Sequence, residues 1–233
     1  MRYRAEASSV EGFVQQLACC YLTHGYWFYV TGWIPQGKDA QAVDEKLIRK
    51  YGIDVSESTR ARRKRAGQAN LQYLRHGRLF VILATKGEHR FFVDEAKMVR
   101  DFRRVPLKFA GYSISVRRGG RTREGKQDGR MHAHVQIERQ RFQQETAYLL
   151  QFARQREPDR IQRELSLVPF EPYAPVRRQM LSLLRTVNRE RKRAGLGEIP
   201  PTVLRLRRRV VKPFDPRPVH NVPAVQSAGT LSL

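Results

Sequence analysis

Cysteine is nearly absent from this 233-residue chain: Cys19 and Cys20 are the only two, and they are adjacent. That excludes a disulfide framework and any cysteine-based zinc site, and it fits a reducing compartment. Tryptophan is equally scarce, with two residues against 20 Phe and Tyr. No run approaches the roughly 18 uninterrupted apolar residues that a membrane-spanning helix needs. The N-terminus, Met-Arg-Tyr-Arg-Ala-Glu, passes into mixed polar sequence without the apolar core of a signal peptide, so a cytoplasmic protein is expected. Negative charge is scarce too, but only beyond residue 57. Residues 1–57 hold 6 basic and 7 acidic side chains, whereas the remaining 176 hold 39 basic and 15 acidic.

What is present in abundance is positive charge, 45 Lys and Arg against 22 Asp and Glu, a net +23. Such a field repels itself unless a polyanion screens it. Nucleic acid is the expected partner, DNA ahead of RNA. A membrane surface is not, because the basic helices bury their apolar stripes instead of exposing Trp or Phe faces. Of the basic residues 35 are Arg, whose planar fork binds phosphate and stacks on bases; GC-rich codon usage would give the same bias. A hydrophobic fraction of 40% argues for a folded chain rather than a basic tail.

Periodicity divides the chain into elements. Val10, Phe13, Val14, Leu17 and Tyr21 recur at helical spacing, predicting a helix over 8–22. Residues 26–34 are aromatic and β-branched and end at Pro35, the mark of a strand. Asp39 caps a helix that stops near Gly52, and Ser56 or Ser58 starts another read as running over 59–74. Strands follow at 78–84, 108–116 and 131–138, with a short helix at 94–104 and a longer one at 142–156. Four prolines make 157–175 an ordered connector. Pro175 opens a helix over 176–194, and a basic strand is expected at 203–211. The fold class expected is α+β: a largely antiparallel four-stranded sheet with flanking helices (1–156), then a basic helical subdomain (157–212) and a disordered tail (213–233).

Four basic segments are candidate phosphate contacts. Arg60, Arg62, Arg63, Lys64 and Arg65 occupy the first turns of the helix read as 59–74, where cations oppose the helix dipole and an anionic ligand would explain them. The loop 117–130 carries four glycines with Arg117, Arg118, Arg121, Arg123, Lys126 and Arg130, a composition suited equally to tracking a backbone and to a solvated hairpin tip. Arg177, Arg178, Arg185 and Arg189 lie on the helix 176–194, and Arg205 and Arg207 on the strand that follows.

His132-Ala133-His134 carries the sharpest chemical signal. On a strand the two imidazoles share a face about 7 Å apart, half of a divalent-metal site. Glu138, Glu88 or His89 would have to complete it. A wet strand face gives the same alternation. The chain has no P-loop, no nucleophile elbow, no Cys/His pair and no carboxylate pair at two-metal spacing.

This His-hydrophobic-His strand in a basic α+β chain, followed by a tyrosine-bearing helix, resembles the HUH endonucleases: rolling-circle replication initiators, relaxases and single-strand transposases. The resemblance implies that His132 and His134 hold Mg²⁺ or Mn²⁺ against a scissile phosphate, and that Tyr148 attacks it to leave a 5′-phosphotyrosine. From the residues alone Tyr148 also reads as a packing residue beside Phe152 and Ala153. Three readings therefore stand open: a noncatalytic nucleic-acid-binding protein, which the charge favours; a metal-dependent single-strand endonuclease; and a basic assembly factor of an RNA–protein complex.

Overall fold

The computed structural model describes residues 3–119, 124–126 and 128–215. The fold is α+β with antiparallel strand pairing. Ser9 caps α1 (Val10–Gln15), which continues through a wider turn at Gln16–Tyr21 and a tighter one at Leu22–His24. β1 (Phe28–Trp33) follows. Asp39 then caps α2 (Ala40–Lys50) by accepting from the Gln41 and Ala42 N–H groups. Ser56 caps α3 (Glu57–Arg65) in the same way.

α3 is shorter than the pattern suggested. Gly67, at φ +73°, ends it in a left-handed C-terminal turn, and the Gly67 and Gln68 N–H groups return to the Lys64 and Arg63 carbonyls. The residues beyond form β2 (Leu71–His76), which pairs with β3 (Leu79–Ala84) across a two-residue turn at Gly77–Arg78. A five-residue helix, α4 (Arg90–Asp94), and β4 (Arg100–Asp101) replace the helix expected at 94–104. The order of this sheet is β2-β3-β1-β4.

A second sheet has the order β5-β6-β7. The strand expected over 108–116 is a hairpin of β5 (Leu107–Phe109) and β6 (Tyr112–Arg118). Its turn residues Ala110 and Gly111 both take positive φ, +46° and +78°, the backbone of a type I′ turn without the usual Asn-Gly signature. β7 (Met131–Ile137) is the edge strand. The four strands read from the sequence thus divide between two sheets, joined by the backbone of Phe102. Its N–H donates to the Trp27 carbonyl (2.9 Å) and its carbonyl accepts from Val116 N–H (3.0 Å).

α5 (Arg139–Ala153), α6 (Asp159–Ser166) and α7 (Ala174–Arg193) follow. α6 lies inside the expected connector: Ile161 and Leu165, four apart, bury one face of it. The helices of 157–212 have no core of their own. Ile161, Leu165, Val176, Leu183 and Val187 join Tyr112, Ile114, Val135 and Ile137 of the sheet in one apolar cluster that reaches Phe13 and Leu17 of the first helix. Residues 204–211 do not form a strand; they strap back across the first helix, where Gln15 exchanges two hydrogen bonds with Val211. Residues 216–233 of the expected disordered tail lie outside the described residues. Among the described residues no helix is long and apolar enough to cross a membrane.

One buried ionic cluster ties the N-terminus to the first sheet. Arg75 Nε donates to both oxygens of Asp44 at 2.9 Å, and its Nη atoms donate to Glu6 at 2.8–2.9 Å. Tyr73 adds its hydroxyl to Asp44. Burial pushes the Asp44 carboxyl upward, against the lowering pull of Tyr73 and Arg75. Asp44→Ala would leave the guanidinium with Glu6 and the Gly77 carbonyl. Urea unfolding at pH 7 should show a loss of about 3–5 kcal/mol, the scale for removing one partner of a buried pair; a loss below about 1 kcal/mol would show that Glu6 suffices.

Candidate nucleic-acid interface

The sequence-predicted basic residues take three kinds of place. Some are spent on the fold. Arg60 Nη1 donates to the Val55 carbonyl (2.6 Å), Arg63 Nη1 to the Gly52 carbonyl (3.0 Å), and Arg177 Nη1 to the Pro172 carbonyl (3.3 Å). Arg205 pairs with buried Glu171 at 2.9 Å. Arg191, which the helical pattern would display, is instead 2% exposed and donates to the Ala153, Gln155 and Gly197 carbonyls. Others are exposed but explained locally. Because α3 ends at Arg65, Arg62, Arg63, Lys64 and Arg65 occupy its last turn, where the helix dipole favours cations. Those cations therefore complement the dipole, contrary to the expectation from a helix over 59–74. Lys126 reaches Glu124 at 4.0 Å, and Arg207 is exposed. Arg121 and Arg123 lie outside the described residues.

The third group gathers along β6, β7 and α7. In the ladder Arg117 stands opposite His132 and Ser115 opposite His134, so these side chains share the sheet face away from Ile114, Val116 and Val135. His132 is exposed and its Nε2 lies 2.7 Å from Asp128 Oδ2. The Arg130 N–H and then His132 hold the Asp128 carboxyl below its usual range. His134 is half-buried, and its Nδ1 is buried with no hydrogen-bond partner. Burial lowers its pKa from the ordinary 6.5, and the Arg117 and Arg178 guanidiniums lower it further.

α7 brings Arg178 there. Pro175 stands in its first turn, and Val176, Met180, Leu183, Leu184 and Val187 bury one face. At 100° per residue, Arg178, Ser182, Arg185, Arg189 and Lys192 fall within about 40° of one line, on the opposite face. All five are exposed. The acid of this helix, Glu190, lies off that line and is taken by Arg154 and Arg193. Among the described residues no carboxylate pairs with the four cations of the stripe. Arg117, Arg118 and Arg130 are exposed at the strand ends, equally unpaired.

The metal implied by the His-x-His resemblance does not fit this geometry. His132 is committed to Asp128, and Glu138 forms an ion pair with Lys108. Two guanidiniums beside His134 oppose a second cation. His89 is committed as well: its Nδ1 accepts from the Phe91 N–H to cap α4. Among the described residues no three His, Cys, Asp or Glu side chains come together as a metal site. Tyr148 lies elsewhere, with its ring 5.1 Å from that of Phe152 and the pKa of its hydroxyl raised by desolvation and by nearby Glu164. What the arrangement favours chemically is an oxyanion, offered guanidiniums from two elements and an imidazole between them.

Sequence reasoning missed Gln179, whose amide seats α7 on the sheet edge. The chain matches no protein-family model, no curated protein and no solved structure.

The depressed pKa of His134 fixes the sign of its linkage. Folding favours the neutral ring, so its contribution to stability is complete above about pH 6.5 and is lost as pH falls through the lower folded value. An NMR titration should find His134 below 6.5, and Arg178→Gln should move it upward. An unchanged midpoint would show that Arg178 does not act on the ring.

Proposed function

We propose that this protein binds nucleic acid through the phosphate backbone, using the outer face of α7 and the adjoining ends of β6 and β7. The observation that carries the reading is the unpaired stripe Arg178, Arg185, Arg189, Lys192. Fourteen residues of helix place its ends roughly 21 Å apart, the length of about six nucleotides along one strand of a duplex. Like charges three and four residues apart on a helix destabilise it by about 0.2–0.5 kcal/mol per pair, and the nearby carboxylate has been diverted elsewhere. A polyanion relieves that repulsion.

The arrangement supports binding over strand cleavage, since the nicking reading needs a metal where two arginines stand and a tyrosine beside the histidines. The assembly-factor reading predicts an acidic protein on the same stripe, and competition by nucleic acid separates the two.

Two outcomes are expected from fluorescence anisotropy with a labelled DNA oligonucleotide. Arg185→Gln with Arg189→Gln should reduce the slope of log affinity against log salt by about 1.4–1.8, the loss of two phosphate contacts. An unchanged slope would remove α7 from the interface. A bound phosphate shields Arg117 and Arg178 and favours protonation of His134, so affinity should rise as pH falls from 7.5 to 5.5. His134→Gln should flatten that rise, and an equal rise in the variant would assign it to another group.

A further inference from the structure

α4 and the end of β1 enclose an open concavity of about 700 Å³, within the ~300–1,000 Å³ range of ligand sites. Its apolar wall is Phe28, Phe92 and Val93, and Lys86 and Arg90 stand on its rim with Glu88. None of these residues belongs to α7, β6 or β7. The wall is accessible: Val93 is 80% exposed, and Phe28 and Phe92 are half-buried, edge to face at 5.4 Å. Behind Phe28 the Arg103 guanidinium lies 5.5 Å from the ring and 5.0 Å from that of Trp27.

The rim is held rigidly. Gly87 takes φ +144°, and a Cβ there would meet the Ala69 nitrogen at 2.5 Å, so only glycine lets the two loops cross. The crossing is pinned from both sides: Glu88 N–H donates to the Gly67 carbonyl, and Ala69 N–H donates to the Glu88 carbonyl, each at 3.0 Å. His89 then caps α4 through Nδ1. Lys86 has no ion pair among the described residues, and the basic turn Arg62–Arg65 leads directly into Gln68, which lines the same concavity.

Resting on the nucleic-acid reading, we infer that this concavity takes an unpaired base of a single strand, stacked on the Phe92 ring with Phe28 against the base edge and its phosphate toward Lys86 and Arg90. A flat aromatic face suits a base of any sequence, and unpaired Lys86, beside an Arg90 whose Nε lies 3.6 Å from Asp94, suits its phosphodiester; a purely apolar partner would have no use for them. A base in a duplex is stacked on its neighbours and cannot enter. The interface on α7 reads backbone charge in either form, so the concavity is what makes the protein prefer single strands.

The test compares a 20-nucleotide single strand with a hairpin duplex of equal charge at one salt concentration. The wild type should bind the single strand about tenfold or more tightly. Phe92→Leu, which keeps apolar volume but removes the ring, should lose about tenfold on the single strand and nothing on the duplex. Lys86→Ala, at an exposed position, gives the same selective loss to a smaller degree should the leucine variant unfold. Equal affinities for the two forms, or an equal loss on both, would overturn the inference while leaving backbone binding intact. Binding to neither form would overturn the nucleic-acid reading as well. The concavity is then judged by titrating adenosine monophosphate against the Phe28 and Phe92 ring signals, where the absence of any shift at millimolar nucleotide refutes it.

Discussion

The open edge of β7 is the constraint on which the basic face depends. An edge strand presents unpaired N–H and C=O groups. At Ile137 both are closed by one side chain: the N–H donates to Gln179 Oε1 at 2.8 Å, and Gln179 Nε2 donates to the carbonyl at 2.9 Å. The amide thus stands in for a neighbouring strand and sets the rotation of α7. With Gln179 turned to the edge and Val176, Met180 and Val187 turned to the core, Arg178, Arg185, Arg189 and Lys192 have nowhere to point but outward. The same docking brings Arg178 beside His134, a residue on a different element and 44 positions earlier. Arg191 fixes the far end by gathering the carbonyls that end α5.

Charge alone overstates such an interface. Among the guanidiniums of this chain, those of Arg60, Arg63, Arg78 and Arg191 satisfy backbone carbonyls that loops leave without partners. Those of Arg75 and Arg205 neutralise buried carboxylates. Among the described residues the arginines without an ion pair include Arg178, Arg185 and Arg189 on α7 and Arg117, Arg118 and Arg130 at the adjoining strand ends, with others, such as Arg62, Arg65 and Arg207, elsewhere. A planar fork with five donors serves the fold in this way, so an arginine-rich composition is not by itself a measure of a polyanionic partner.

Long periodic segments were legible from sequence: α1 follows the apolar spacing, and α2 and α7 follow both that spacing and the Asp39 and Pro175 signals. Where the reading failed, a turn carried the information. Gly67 separates α3 from β2, and an Ala110-Gly111 pair in left-handed backbone separates β5 from β6; in each case the apolar pattern continues across the break. β4 is two residues long, too short for any pattern. The candidate site divides the same way. The cationic stripe follows from spacing, whereas the partners of His132 and Glu138, and the environment of His134, arise from tertiary contacts that no spacing encodes. The His-x-His signal marks a strand face, and the residues around it do not fit a metal.

The central claim, that the unpaired arginines of α7 and β6 meet a polyanion, is tested most directly by following the Arg Nε–Hε resonances while a DNA oligonucleotide is added. The signals of Arg117, Arg178, Arg185 and Arg189 should move together and saturate, while those of buried Arg75 and Arg191 stay fixed. Shifts confined to the last turn of α3, or no shifts on α7 at saturating oligonucleotide, would contradict it.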